Sequence, residues 1–169
     1  DELMDRGIED GEAGTLSNDP VMRSISNRIR KLTESNIVGF GANSRYLSEL
    51  GIQTKRDGTL LINERSFKDA VEKDPSSYDA IFNSSITSSN SNLVLSKTSF
   101  SKPTPGTYSY RHSSGDSYLD NIKLLKGTDS TTGLDYYSAV DGDPAGVTII
   151  PQSSVSSAFV YIGESMLDK

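Results

Sequence analysis

The stretch from Tyr46 to Phe82, YLSELGIQTKRDGTLLINERSFKDAVEKDPSSYDAIF, constrains the fold most, because each local signal in it agrees with the next. Leu47 and Leu50 stand at i, i+3 and stop at Gly51, a residue suited to the left-handed end of a helical turn. Ile52 and Thr54, then Leu60 and Ile62, flank Lys55-Arg56-Asp57-Gly58, in which Asp-Gly is a strong hairpin-turn signal. Asn63 follows as a natural N-cap, since its side-chain oxygen can accept from free N–H groups of the first helical turn. Phe67, Ala70 and Val71 recur at helical spacing, and that helix ends before Asp74-Pro75. Ala80, Ile81 and Phe82 close the unit on a second short helix.

Upstream, residues 1–14 are acidic and punctuated by Gly, and read as a helix tail followed by a loop. Asn18 or Asp19 can cap a new helix, with Pro20 at the first position, where a missing N–H costs nothing. Val21, Ile25, Ile29 and Leu32 then form one apolar stripe, and Arg23, Arg28, Arg30 and Lys31 lie on other faces, read as solvated. Residues 35–44 read as loop, with Ile37, Val38 and Phe40 available to cover a core edge.

After Phe82 the composition changes abruptly. Residues 84–92, a Ser/Asn-rich run, read as a linker. Beyond Asn92 the hydrophobic period shifts from helical to alternating. Residues 93–97 and 106–111 are strand candidates, the latter with Tyr108 and Tyr110 on one face. Residues 121–125, 134–140, 145–150 and 157–162 continue the series, separated by turns such as Gly115-Asp116 and Asp141-Gly142-Asp143-Pro144. Thr148–Ile150 and Phe159–Ile162 have the highest strand propensity and are expected at the centre. The expectation is an α+β chain. Residues 1–83 form a helix–hairpin–helix platform, 84–92 a linker, 93–164 a small antiparallel sandwich or partial barrel, and 165–169 the start of a further helix.

The bulk properties exclude several classes. A net charge of −6 argues against nucleic-acid partners, which need a basic stripe, and against an anionic membrane surface. With no cysteine there is neither a disulfide frame nor a thiolate metal site. No apolar run approaches a membrane span, and no signal-peptide core opens the chain, which starts without Met and reads as a fragment. His112, the only histidine, stands beside the turn sequence Ser113-Ser114-Gly115, with no nucleophile elbow anywhere. Gly39-Phe40-Gly41 lacks the rest of a phosphate loop, so no cofactor is expected. Asp141 and Asp143 share a turn and Asp116 and Asp120 are near in sequence, but neither pair points to a catalytic cleft; turn chemistry accounts for Asp141-Gly142-Asp143-Pro144, with a weak surface calcium site as the alternative. No enzyme emerges.

Residues 14–82 also carry an ordered series of short elements: Ala13-Gly14-Thr15-Leu16, Asp19-Pro20-Val21-Met22-Arg23-Ser24-Ile25, Tyr46–Ile52, Asp57-Gly58-Thr59-Leu60, Phe67–Val71, Asp74-Pro75 and Ile81-Phe82. In this order and spacing it resembles the C-terminal family region of bacterial flagellar filament cap proteins, flagellar hook-associated protein 2. On that resemblance Asp19, Pro20, Leu50, Gly51, Asp57, Gly58, Leu60, Phe67 and Phe82 are structural positions. The resemblance implies a homo-oligomeric, non-enzymatic lid at the filament tip, beneath which flagellin folds and inserts. It also implies export through the flagellar type III apparatus, anchoring helices outside these residues and weak self-association of this piece alone. After Phe82 the chain departs from many members, and its β-rich segment resembles the outer domains of cap proteins. The tyrosines of that segment read first as half-buried strand residues; a competing reading makes it a receptor- or glycan-binding module, with Tyr108, Tyr110, Tyr136 and Tyr137 as its candidate stacking surface and a host receptor or glycan as partner.

Overall fold

The structure, a computed structural model, describes residues 19–41, 45–55, 59–98 and 101–169. The acidic residues 1–14 and the Asp57-Gly58 turn lie outside the described residues. The chain divides into two compact units: residues 1–36 with 45–77, and residues 37–44 with 78–169.

The first unit begins with helix α1 (Pro20–Glu34). Asp19 caps it, its Oδ1 accepting from the amides of Val21 at 2.7 Å and Met22 at 3.1 Å. A 3₁₀ turn (Leu47–Leu50) buries both its leucines and ends at Gly51. Strands β1 (Ile52–Thr54) and β2 (Leu60–Ile62) pair antiparallel in the expected hairpin, Ile52 opposite Ile62. Asn63 accepts from the Ser66 amide at 3.0 Å and starts α2 (Glu64–Lys73). Thr33 at the end of α1 reaches Thr54 of β1, hydroxyl to hydroxyl, at 2.5 Å. The apolar stripe of α1 is only partly covered: Ile29 is half-buried, while Val21 and Ile25 are exposed.

Helix α3 (Ser76–Phe82) leads into the second unit. There the supposed linker needs correction. Residues 85–88 form strand β3 (Ser85–Ser88), which pairs with β11 (Ser157–Gly163), Ile86 facing Ile162 across the ladder. A polar strand can lie at a sheet edge because the backbone ladder, and not its side chains, holds it there.

The remaining strands are β4 (Leu93–Lys97), β5 (Gly106–Ser113), β6 (Asp116–Leu119), β7 (Ile122–Lys123), β8 (Leu125–Thr128), β9 (Asp135–Ser138) and β10 (Val147–Pro151). They build two open antiparallel sheets, ordered β4-β10-β9-β8 and β3-β11-β5-β6-β7. As expected, β10 and β11 are interior strands. The inner faces share one core, including Leu93, Tyr137, Val147 and Ile149 from one sheet and Tyr108, Tyr110, Leu119, Val160 and Ile162 from the other. This is a sandwich with open sheets rather than a barrel. The candidate strand at 121–125 is in fact two: β7 and β8 belong to different sheets, and buried Leu124 marks the corner between them.

Residues 37–41 cover the C-terminal end of β11, where Val160 to Gly163 are all buried. Gly39 has φ of 82°, and a Cβ there would lie 1.8 Å from the Ile162 carbonyl oxygen, so only glycine fits. A 3₁₀ turn (Met166–Asp168) stands where the start of a further helix is expected.

Candidate functional site

In the first unit Leu50, Gly51 and Phe67 lie at one backbone junction. Gly51 takes φ of 76°, and its N–H donates to the Ser48 carbonyl at 3.1 Å, closing the 3₁₀ turn. Its own carbonyl accepts from the Asn63 amide at 2.8 Å, which ties the start of α2 to that turn. Leu50 beside it is buried, and Phe67 of α2 is half-buried. Leu60 is exposed, as are Leu61 and Ile62. Phe82, in the second unit, is exposed and packs on Tyr78 with ring centroids 4.7 Å apart.

A second cluster fastens the end of α2. Arg45 donates to the Ser77 hydroxyl at 2.5 Å and pairs with the Asp74 carboxylate. Asp74 also accepts from the Ser76 amide at 3.0 Å and the Ser76 hydroxyl at 2.7 Å. Burial opposes the charged form of Asp74, but the Ser76 and Arg45 hydrogen bonds outweigh it and hold the carboxyl below its usual range. The sequence carried no sign of this cluster, since Arg45 and Asp74 are far apart in the chain.

The second unit corrects the aromatic expectation. Tyr108, Tyr110 and Tyr137 are buried in the sandwich core, and Tyr136 is half-buried. Alternation placed Tyr108 and Tyr110 on one face correctly, and that face turned inward. Tyr108 donates to the Thr104 carbonyl at 2.7 Å, and burial, with the charges of Asp143 and Asp120, pushes its phenol up.

His112 also moves from its expected place. It belongs to β5, because the turn consists of Ser114 and Gly115 alone, with φ of 55° and 86°. Two positive φ values in a two-residue link suit the twist of a hairpin, and the ladder therefore closes at Ser113 opposite Asp116. His112 shares the inward face of Tyr110, and its Nδ1 lies 2.9 Å from the Ser117 hydroxyl, which lies 3.1 Å from the Tyr110 hydroxyl. Burial raises the Tyr110 phenol against the pull of its bond to Ser117.

This polar chain borders a cleft of about 550 Å³ lined by Tyr110, His112, Asp135, Tyr137 and residues 151 and 153–156. Asp135 is neutralised by Lys126 at 2.7 Å and accepts from Thr128 at 2.8 Å; these contacts hold its carboxyl below the usual range. Asp141 and Asp143 lie in the turn before β10, and among the described residues no group of three or more His, Asp or Glu could hold a metal ion.

The two units define an α+β chain whose organised polar groups, among the described residues, serve caps and turns and border an open cleft. A family model described as flagellar hook-associated protein 2 C-terminus matches residues 4–127, and the chain belongs to that family. The family is one of structural flagellar proteins rather than of known enzymes. The lateral flagellar hook-associated protein 2 of Vibrio parahaemolyticus is 32% identical over 83 residues, which cover 49% of this chain and 18% of that protein. The flagellar hook-associated protein 2 of Vibrio cholerae is 42% identical over 53 residues, 31% of this chain and 8% of that protein. The matches thus span less than a fifth of either relative's length. No solved structure matches the chain. Among the described residues no helix is long and apolar enough to cross a membrane.

Proposed function

We propose that this chain is part of a filament-capping scaffold of the bacterial flagellum, an assembly factor at the distal tip that promotes flagellin insertion and acts by contact rather than by catalysis. The observation that carries the reading is the family match over residues 4–127, which takes in the first unit and the opening strands of the sandwich. In the same reading the full-length protein is exported through the flagellar type III apparatus, works outside the cell and forms a homo-oligomer against the filament end.

The first unit supports this role. Its capped helix and glycine junction give a rigid frame, while Val21, Ile25, Leu60, Leu61 and Ile62 remain exposed, as suits a piece that meets other parts of an assembly. The division into domains is part of the proposal: the helical unit serves as platform, and the sandwich is an outer domain joined to it through α3.

Deletion of the full-length gene tests the reading. Flagellin should then be secreted but remain unpolymerised, as seen by electron microscopy of cells and immunoblotting of the medium. Filaments of normal number and length in that strain would sink it.

A further inference from the structure

We propose that residues 37–41 are a detachable strap: Phe40, carried between two left-handed glycines, plugs a socket over Gly163 and ties the sandwich to the chain of the first unit a second time. The proposal is independent of the capping role.

The socket shows in the exposure along β11. Ser157 and Phe159 lie on the outer face of the sheet and are exposed, whereas Tyr161 and Gly163, on the same face by the period of two, are buried. The change falls where residues 37–41 lie. A Cβ on Gly163 would stand 2.6 Å from both Cε2 and Cζ of Phe40, so the ring occupies the place of the missing side chain. A Cβ on Gly39 would meet the Ile162 carbonyl oxygen at 1.8 Å and the Gly163 amide nitrogen at 2.7 Å, so backbone meets backbone beside the ring. Gly39, Phe40 and Gly163 thus make one lock.

The strap is held differently from the strand it covers. It is a strand of neither sheet, so the burial of Ile37 and Phe40, 1% and 2% exposed, is its main hold. Gly41, next to the ring, has φ of 100° and nothing within 4 Å of its would-be Cβ, which gives Phe40 a joint free of packing on which to swing. The path of the chain gives the lock its consequence. Residues 37–44 belong to the second unit, but the chain on either side of them, up to residue 36 and from 45 to 77, belongs to the first. With the strap docked, the chain ties the units at 36/37, 44/45 and 77/78; with it released, only 77/78 remains.

Hydrogen exchange and nitrogen relaxation of the isotope-labelled 169-residue chain test this. In the parent, the amides of residues 162 and 163 should exchange through a local opening, faster than those of Val147 and Ile149 and with a weaker dependence on urea. Phe40→Ala should speed exchange at 162 and 163 about a hundredfold, leave Val147 and Ile149 unchanged, and move the rotational correlation times of the two units further apart. Gly163→Ala keeps Phe40 but drives its ring from the socket, and should act in the same direction, which covers the case in which Phe40→Ala does not fold. Gly41→Ala, whose Cβ meets nothing, should change exchange there by no more than about tenfold. The proposal is overturned if, in the parent, residues 162 and 163 exchange at the rate and with the urea dependence of Val147 and Ile149, for residues 37–41 are then a fixed part of the core. It is equally overturned if Phe40→Ala and Gly163→Ala, folded by their spectra, leave either the exchange at 162 and 163 or the spread of correlation times as in the parent.

Discussion

Replacing Gly51 with alanine should destabilise the first unit far more than the same change at Gly133, a glycine of positive φ with open space around it, destabilises the second. The left-handed conformation alone costs an alanine about 1–2 kcal/mol. At Gly51 the new Cβ would also stand 2.9 Å from both the Asn63 carbonyl oxygen and the Ser66 Cβ, and 3.2 Å from the Phe67 amide. Two of these are backbone atoms of the first turn of α2, and the Asn63 carbonyl accepts from Phe67 in that turn at 2.9 Å. Relief of the clash therefore moves the N-cap of α2 as well, so the total comes to about 2–4 kcal/mol once part of a cap is lost. Gly133 provides the control: φ is 72°, and nothing lies within 4 Å of its would-be Cβ, so Gly133→Ala should cost only the conformational part. Two units need not unfold together, so hydrogen exchange by residue is a better assay than one global midpoint. Gly51→Ala should speed exchange at Asn63 and Phe67 by a factor of about 30 or more while leaving the Val147 and Val160 amides of the sandwich unchanged. Equal effects of Gly51→Ala and Gly133→Ala, each measured on its own unit, would refute the clash argument.

Two further outcomes follow from the polar clusters. Tyr110→Phe keeps the fully buried ring but removes its hydrogen bond to Ser117, and should lower the stability of the sandwich by about 1 kcal/mol in urea unfolding; an unchanged midpoint would show the bond to be worthless there. For Asp74 the folded-state carboxyl lies below its ordinary value of 3.8, so its contribution is fully present above about pH 4 and is lost as pH falls through the folded value. Protection of the Ser76 amide, which donates to Asp74, should therefore drop on acidification below about pH 4, and Asp74→Asn should remove that pH dependence.

The capping expectations survived because each depends on neighbours in the chain: Asp19 on the amides of residues 21 and 22, Asn63 on that of Ser66. Strands failed where the decisive partner was distant. Ser85–Ser88 has the composition of a linker, yet residues 160–163 of β11 present an unpaired ladder that it completes. β6 was missed because Gly115 was assigned with Asp116 to one turn, whereas the tight Ser114-Gly115 link frees Asp116 to pair with Ser113.

The sequence by itself determined the elements of residues 19–82, the shift from helical to alternating period, the family, and β10 and β11 as interior strands. These follow from local capping, turn chemistry and β-branched content, which act within a few residues. Only the tertiary structure decided which faces turned inward. A period of two separates Tyr108, Tyr110 and His112 from their neighbours but does not say which side meets the other sheet. It also left Val21 and Ile25 of a regular amphipathic stripe exposed, because a stripe shows what a helix can bury and not what lies against it. The cleft is of the same kind: it requires β5, β9 and the segment before β11, which meet only after the two sheets have packed.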